Sequence, residues 1–138
     1  MKMLFAPDAP LLVGFSFKND LRELGRSTWA DHCRRPPPNL CDLQTLSGKS
    51  TDGLARLVER TMHQPLCKVE QRSYWLRRPL RAAQRHYAAL DAFVLLQVGS
   101  KLVDVPLSDP KHLAERLRAE MTAQVAQRAP AGSRSSNR

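Results

Sequence analysis

Cysteine is scarce: three residues, at positions 33, 41 and 67 of 138. An odd number cannot close a complete disulfide set. No secretory leader is legible either, because Met1-Lys2-Met3-Leu4-Phe5 meets Pro7 and Asp8 before an apolar core builds up. Together these predict a reducing, intracellular setting, cytoplasmic or nuclear. Long hydrophobic runs are lacking too. The longest, 11–17 and 88–98, stop well short of the roughly 18–20 apolar residues that span a bilayer, so no membrane partner is expected. Acidic residues are few, 13 against 22 Lys+Arg, which leaves a net charge of +9 and points to a polyanionic partner. Hydrophobic residues at 42% and charged residues at 25% are near the globular average, which excludes wholesale disorder, and the length suits one domain.

Two small-molecule chemistries are nearly excluded by what is missing. Ser47-Gly48-Lys49-Ser50 ends like a phosphate-binding P-loop, but Leu43 stands where the pattern requires its first glycine. His32, Cys33, Cys41, His63 and Cys67 contain no Cys-x₂-Cys pair, and His63 with Cys67 makes only one spaced pair where structural zinc needs four ligands. No Ser-His-Asp or Cys-His set is legible by spacing.

What is present reads as α/β. Residues 11–17 form a nearly continuous apolar run, expected as a buried strand of a parallel sheet. Asn19 or Asp20 then caps a short helix that Gly25 ends. The prolines at 36–38 force a loop. A second strand is expected over 40–43, a turn over 47–52, and an amphipathic helix over 53–63 from the spacing of Leu54, Leu57, Val58, Thr61 and Met62. Residues 66–78 read as irregular. Pro79 suits the start of a long helix with Leu80, Ala83, Tyr87, Leu90, Val94 and Val98 on one face, ending near Gly99. Asp109 and Pro110 open a last helix whose stripe of Leu113, Leu117, Met121 and Val125 is narrow. Residues 129–138 read as a disordered tail.

Charge is concentrated. Residues 67–86 carry +5 of the +9, in Lys68, Arg72, Arg77, Arg78, Arg81 and Arg85 against Glu70, with Tyr74 and Trp75 among them. Cations neutralise phosphates and aromatic faces stack on bases, so this is the candidate nucleic-acid segment; a solvated basic face around a packed Trp75 fits the same pattern. Two carboxylates stand out. Asp20 follows the first strand, where ligands of open α/β sheets gather, although a helix cap would use the same residue. Asp91 lies one turn after Tyr87 on one helix face, among Ala88, Ala89 and Ala92, and a carboxylate there needs a partner.

The strings Gly14-Phe15-Ser16-Phe17-Lys18-Asn19-Asp20-Leu21, Lys68-Val69-Glu70-Gln71-Arg72-Ser73-Tyr74-Trp75, Arg78-Pro79-Leu80 and Gln84-Arg85-His86-Tyr87-Ala88-Ala89-Leu90-Asp91-Ala92 occur in this order. Over about 11–103 the chain thereby resembles 3′–5′ exonucleases of the DEDDy class, the ribonuclease D, Werner-exonuclease and mut-seven-type domains. The resemblance implies an RNase H-like fold and two-metal hydrolysis of nucleic-acid phosphodiesters with Mg²⁺ or Mn²⁺, acting on a single-stranded 3′ end of DNA or RNA. By position, Asp20 and Asp91 match metal-binding carboxylates and Tyr87 the tyrosine that orients the attacking water. Lys68, Ser73 and Trp75 match a family string without a clear role. The class also carries Asp-x-Glu on its first strand, and no Asp-x-Glu exists anywhere in this chain.

The expectation is therefore an incomplete RNase H-like fold, lacking the first antiparallel strands, with two short parallel strands and flanking helices. Its parts would be an N-terminal remnant (1–10), a partial exonuclease domain (11–103), a helical extension (104–128) and the tail. Such a truncated chain would bind metal weakly or not at all and cleave little alone. Two non-catalytic alternatives stand beside it. The chain could be a nucleic-acid-binding module, using Lys68, Arg72, Trp75, Arg77, Arg78, Arg81 and Arg85, or an interaction fragment that docks a protein partner on an exposed sheet edge.

Overall fold

The structure, a computed structural model, describes residues 9–26 and 37–128. Among these the chain forms two strands and five helices: β1 (Leu12–Gly14), α1 (Lys18–Leu24), β2 (Leu40–Asp42), α2 (Leu43–Leu46), α3 (Leu54–Met62), α4 (Ala82–Val103) and α5 (Pro110–Arg128). The strands pair in parallel with Leu12 opposite Leu40, Val13 opposite Cys41 and Gly14 opposite Asp42. The backbone N–H of Leu12 donates to the carbonyl of Asn39, and the Asn39 amide donates to the carbonyl of Pro10, which holds the register at the entrance to both strands.

Both expected strands are present and parallel, but β1 is shorter than 11–17. Ser16 turns into the left-handed region at φ 57°, which ends the extended backbone. Gly14 is required just before it. A Cβ there would lie 2.0 Å from the Phe17 ring, so the ring occupies the space a side chain would need. α1 begins at Lys18 with Phe17 at the cap and no side-chain cap bond. This corrects the assignment of Asn19 or Asp20 as the cap: Asp20 sits inside the first turn, where its charge suits the helix dipole. Gly25 does end the helix. Residues 27–36, with the pair His32 and Cys33 and the first of the three prolines, the N-terminal remnant up to Asp8 and the tail lie outside the described residues.

Helix α3 matches the amphipathic reading, with Leu57 and Val58 buried. It ends at His63 in a left-handed conformation, before Pro65 is reached. Residues 66–78 contain no helix or strand, as expected. Pro79 does not open α4. It follows Arg78 in a cis peptide, and the helix starts at Ala82 with Arg81 as cap. Nor does Gly99 end it; that glycine is buried in mid-helix beside Leu43 and Leu117, and the helix continues to Val103, with Asp104 left-handed at its end. The expected face is only half right, because Ala83 is exposed while Gln84, Val94, Val98 and Val103 are buried. In α5 the Asp109 carboxylate accepts from the His112 N–H, the expected cap, and the stripe is buried at Leu113 and Leu117 but open at Val125.

Cys41, Leu43, Leu57, Val98 and Leu117 are sealed at the centre of the core. α4 is the organising element, packing on β1, α2, α3 and α5, while α5 also meets α2 and β2. The P-loop-like stretch is the turn that closes α2: the Ser47 hydroxyl donates to the Gln44 carbonyl and accepts from the Lys49 N–H. No helix among the described residues is long and apolar enough to cross a membrane.

Candidate functional site

The carboxylate of Asp42 organises the C-terminal end of the sheet. Its Oδ1 accepts from the N–H groups of Ser16 (2.9 Å) and Gln44 (3.0 Å), and its Oδ2 from Phe17 (3.1 Å). Ser16 in the left-handed region followed by right-handed Phe17 makes a concave pair of N–H groups, a backbone nest that selects an anion. One side chain on β2 therefore caps α2 and fixes the bend that launches α1, the helix carrying Asp20. Sequence reasoning missed Asp42. The available signal was Asp before an apolar run, the pattern of an N-cap. The two N–H bonds from β1 could not be read from spacing, since they join residues 26 and 25 positions apart.

Asp20 itself is exposed on α1. Tyr87 and Asp91 lie half-buried one turn apart on α4, close enough for the carboxylate to influence the phenol. Burial first, then the charge and acceptor oxygens of Asp91, and last the charge of nearby Cys67, push the phenol above its ordinary value of 10.0. Tyr87 thus keeps its proton at neutral pH. Asp20 and Asp91 do not belong to a gathered ligand set. Among the described residues no group of three or more His, Cys, Asp or Glu comes together to hold a metal, and no extensive packing joins α1 to α4. Among the described residues Asp20 and Asp91 alone do not complete a two-ion centre.

The irregular basic segment is fastened to α4 by Gln84, which is wholly buried. Its Oε1 accepts from the Arg81 N–H (3.0 Å), the backward half of a capping box, while its Nε2 donates to the Ser73 hydroxyl and the Tyr74 carbonyl, both at 3.0 Å. Trp75 is a packing residue: its ring lies 6.0 Å from that of Tyr87 and its Nε1 donates to the Glu70 carbonyl. Of the cations expected to bind phosphate, Arg81 pairs with Glu70 at 2.7 Å, Arg78 donates to the carbonyls of Trp75 and Arg77, and Arg85 reaches the Leu80 carbonyl. Lys68, Arg72 and Arg77 are exposed with no ion-pair partner among the described residues.

The arrangement is thus an α/β unit whose phenol–carboxylate pair adjoins a pinned basic loop. The family model described as 3′–5′ exonuclease matches residues 1–105, and the chain belongs to that family. It is 33% identical to exonuclease mut-7 of Caenorhabditis elegans over 117 residues, covering 74% of this chain and 13% of that protein. Ribonuclease D of Shewanella sp. (strain ANA-3) is 39% identical over 80 residues, 55% of this chain and 21% of the relative. The human exonuclease mut-7 homolog is 43% identical over 65 residues, 47% of this chain and 7% of its own length. The chain therefore spans about a fifth or less of each of these relatives. No solved structure matches.

Proposed function

We propose that residues 11–103 are part of a 3′–5′ exonuclease domain of RNase H-like fold, in which Asp20 and Asp91 are two carboxylates of a divalent-metal centre and Tyr87 orients the attacking water. The observation that carries this reading is the Tyr87–Asp91 pair, a phenol and a half-buried carboxylate one helical turn apart beside an exposed basic loop. Nucleic acid is the substrate class, with its phosphates drawn to Lys68, Arg72 and Arg77 and its single-stranded 3′ end directed toward α4. Residues 104–128 extend the domain through α5, which covers α2 and β2.

Two carboxylates without the Asp-x-Glu pair leave most of the charge of two dications uncompensated, so Mg²⁺ or Mn²⁺ is bound weakly or not at all and this chain alone cleaves little or nothing. Metal-dependent digestion of a 3′-labelled single strand tests the claim. No product above the no-enzyme control is expected. Robust cleavage that disappears in Asp91→Ala would refute inactivity while supporting the site. A non-catalytic nucleic-acid-binding role is favoured by the unpaired cations and predicts binding without cleavage. It is checked by the salt dependence of oligonucleotide binding and its weakening in Arg77→Ala/Arg78→Ala. An interaction role rests on different residues, Phe93 and Leu96, which α4 leaves exposed beside β1.

A further inference from the structure

We propose that Tyr74 is a stacking platform for an unpaired base of single-stranded nucleic acid; the proposal rests on the reading of the basic loop as a nucleic-acid face and names the residue that would engage the bases. The sequence places two adjacent aromatics in that loop, and the structure divides their roles. Trp75 is occupied, by the Glu70 carbonyl at its Nε1 and by the Tyr87 ring. Tyr74 is 70% exposed. An aromatic ring so far in water retains an unsatisfied apolar face.

The ring is exposed but its backbone is not loose. The Tyr74 carbonyl accepts from Gln84, and the neighbouring Ser73 hydroxyl accepts from the same amide. Turn bonds from Gln71 to Lys68 and from Ser73 to Glu70 order the approach to it. A platform whose backbone is already held leaves only its side-chain rotamer to be ordered when a base settles on it. Val69 and Leu76, 82% and 77% exposed, add apolar surface in the same loop. Arg72 and Arg77, two residues before and three after Tyr74, supply the charge that holds a phosphate backbone alongside. Base faces are hidden inside a duplex and open in a single strand, which selects the single-stranded form. Every base has such a face, so little sequence preference is expected.

The experiment measures anisotropy of labelled oligo(dT), oligo(U) and an abasic strand of equal length with the full chain, at several salt concentrations. Tyr74→Ala should lower affinity about tenfold for the base-bearing strands. It should leave both the abasic strand and the slope of affinity against salt unchanged, and Tyr74→Phe should restore binding. Arg77→Ala should instead reduce that slope by about one. Equal losses on oligo(dT) and oligo(U) support stacking on either nucleic acid, and a loss confined to one supports it and identifies the sugar. Unchanged binding by Tyr74→Ala, or an equal loss on the abasic strand, overturns the proposal while leaving the basic face intact. Failure of the unaltered chain to bind any strand overturns the face itself. Preference for anionic phospholipid vesicles over the oligonucleotides, lost in Tyr74→Ala, overturns it in favour of a lipid surface.

Discussion

Replacing Gln84 by methionine keeps the side chain's approximate volume and removes all of its hydrogen bonds. In the folded chain those bonds are three, from Arg81 N–H and to Ser73 Oγ and Tyr74 O, on a residue with no exposure. A typical intramolecular bond is worth about 1 kcal/mol net, and a partly enclosed carbonyl left without a donor adds to the loss, so Gln84→Met should cost about 3 kcal/mol. Against a total stability of about 5–15 kcal/mol that is a large fraction. At about 4 °C per kcal/mol for a chain of this size the midpoint should fall by about 12 °C in a circular-dichroism melt. A local readout separates the loop from the core: in a Trp29→Phe background, Trp75 emission should shift to the red as the loop leaves α4. Gln84→Glu keeps the acceptor for Arg81 but turns a second acceptor toward the Tyr74 carbonyl. It should be as destabilising at neutral pH and partly recover in acid, when the carboxyl regains a donor. A melt of Gln84→Met within about 2 °C of the unaltered chain, with unshifted Trp75 emission, would show that the loop is held by something else.

Asp42→Asn should leave the Ser16 and Phe17 amides exchanging faster with solvent while the α4 amides stay protected; uniform change across the chain would refute a local role. Asp91→Asn removes a charge and a charged acceptor, so the Tyr87 phenol should titrate at lower pH than in the unaltered chain, measured by ultraviolet absorbance in a Tyr74→Phe background. The raised phenol favours folding as long as it is protonated. That contribution is complete below about pH 10, the ordinary value, and is lost as pH rises through the higher folded value. Burial, then the charge of Asp42, pushes the Cys41 thiol from 9.0 up to about 12. Cys67 is exposed, so a thiol reagent at mildly alkaline pH should label it rapidly and Cys41 only on unfolding, with mass spectrometry as the check. The same shift makes stability fall as pH rises from about 9 toward 12.

Local chemistry determined much of this protein. The two strand segments, the amphipathic α3, the irregular loop at 66–78, the Gly25 helix stop and the Asp109 cap all follow from residues within a turn or two of one another, and so were legible in the sequence. Tyr87 and Asp91 could be placed together because four residues on a helix is a contact distance. Elsewhere local rules chose wrongly. Gly99 looked like a terminus, yet the packing of Leu43 and Leu117 keeps it helical, and Pro79 looked like a helix start, yet its peptide is cis and Arg81 is the cap.

What only the tertiary structure decided is which polar groups are spent on the fold and which remain for a ligand. Asp42, Gln84 and Glu70 resemble surface residues in the sequence, and each is committed to a distant backbone or charge partner. Trp75 is the aromatic the sequence offers for binding, yet it packs against Tyr87, and the adjacent Tyr74 is left exposed. The physical reason is that hydrogen bonds and ring contacts across 10 to 26 positions depend on how helices and strands dock, and docking is a property of the whole core.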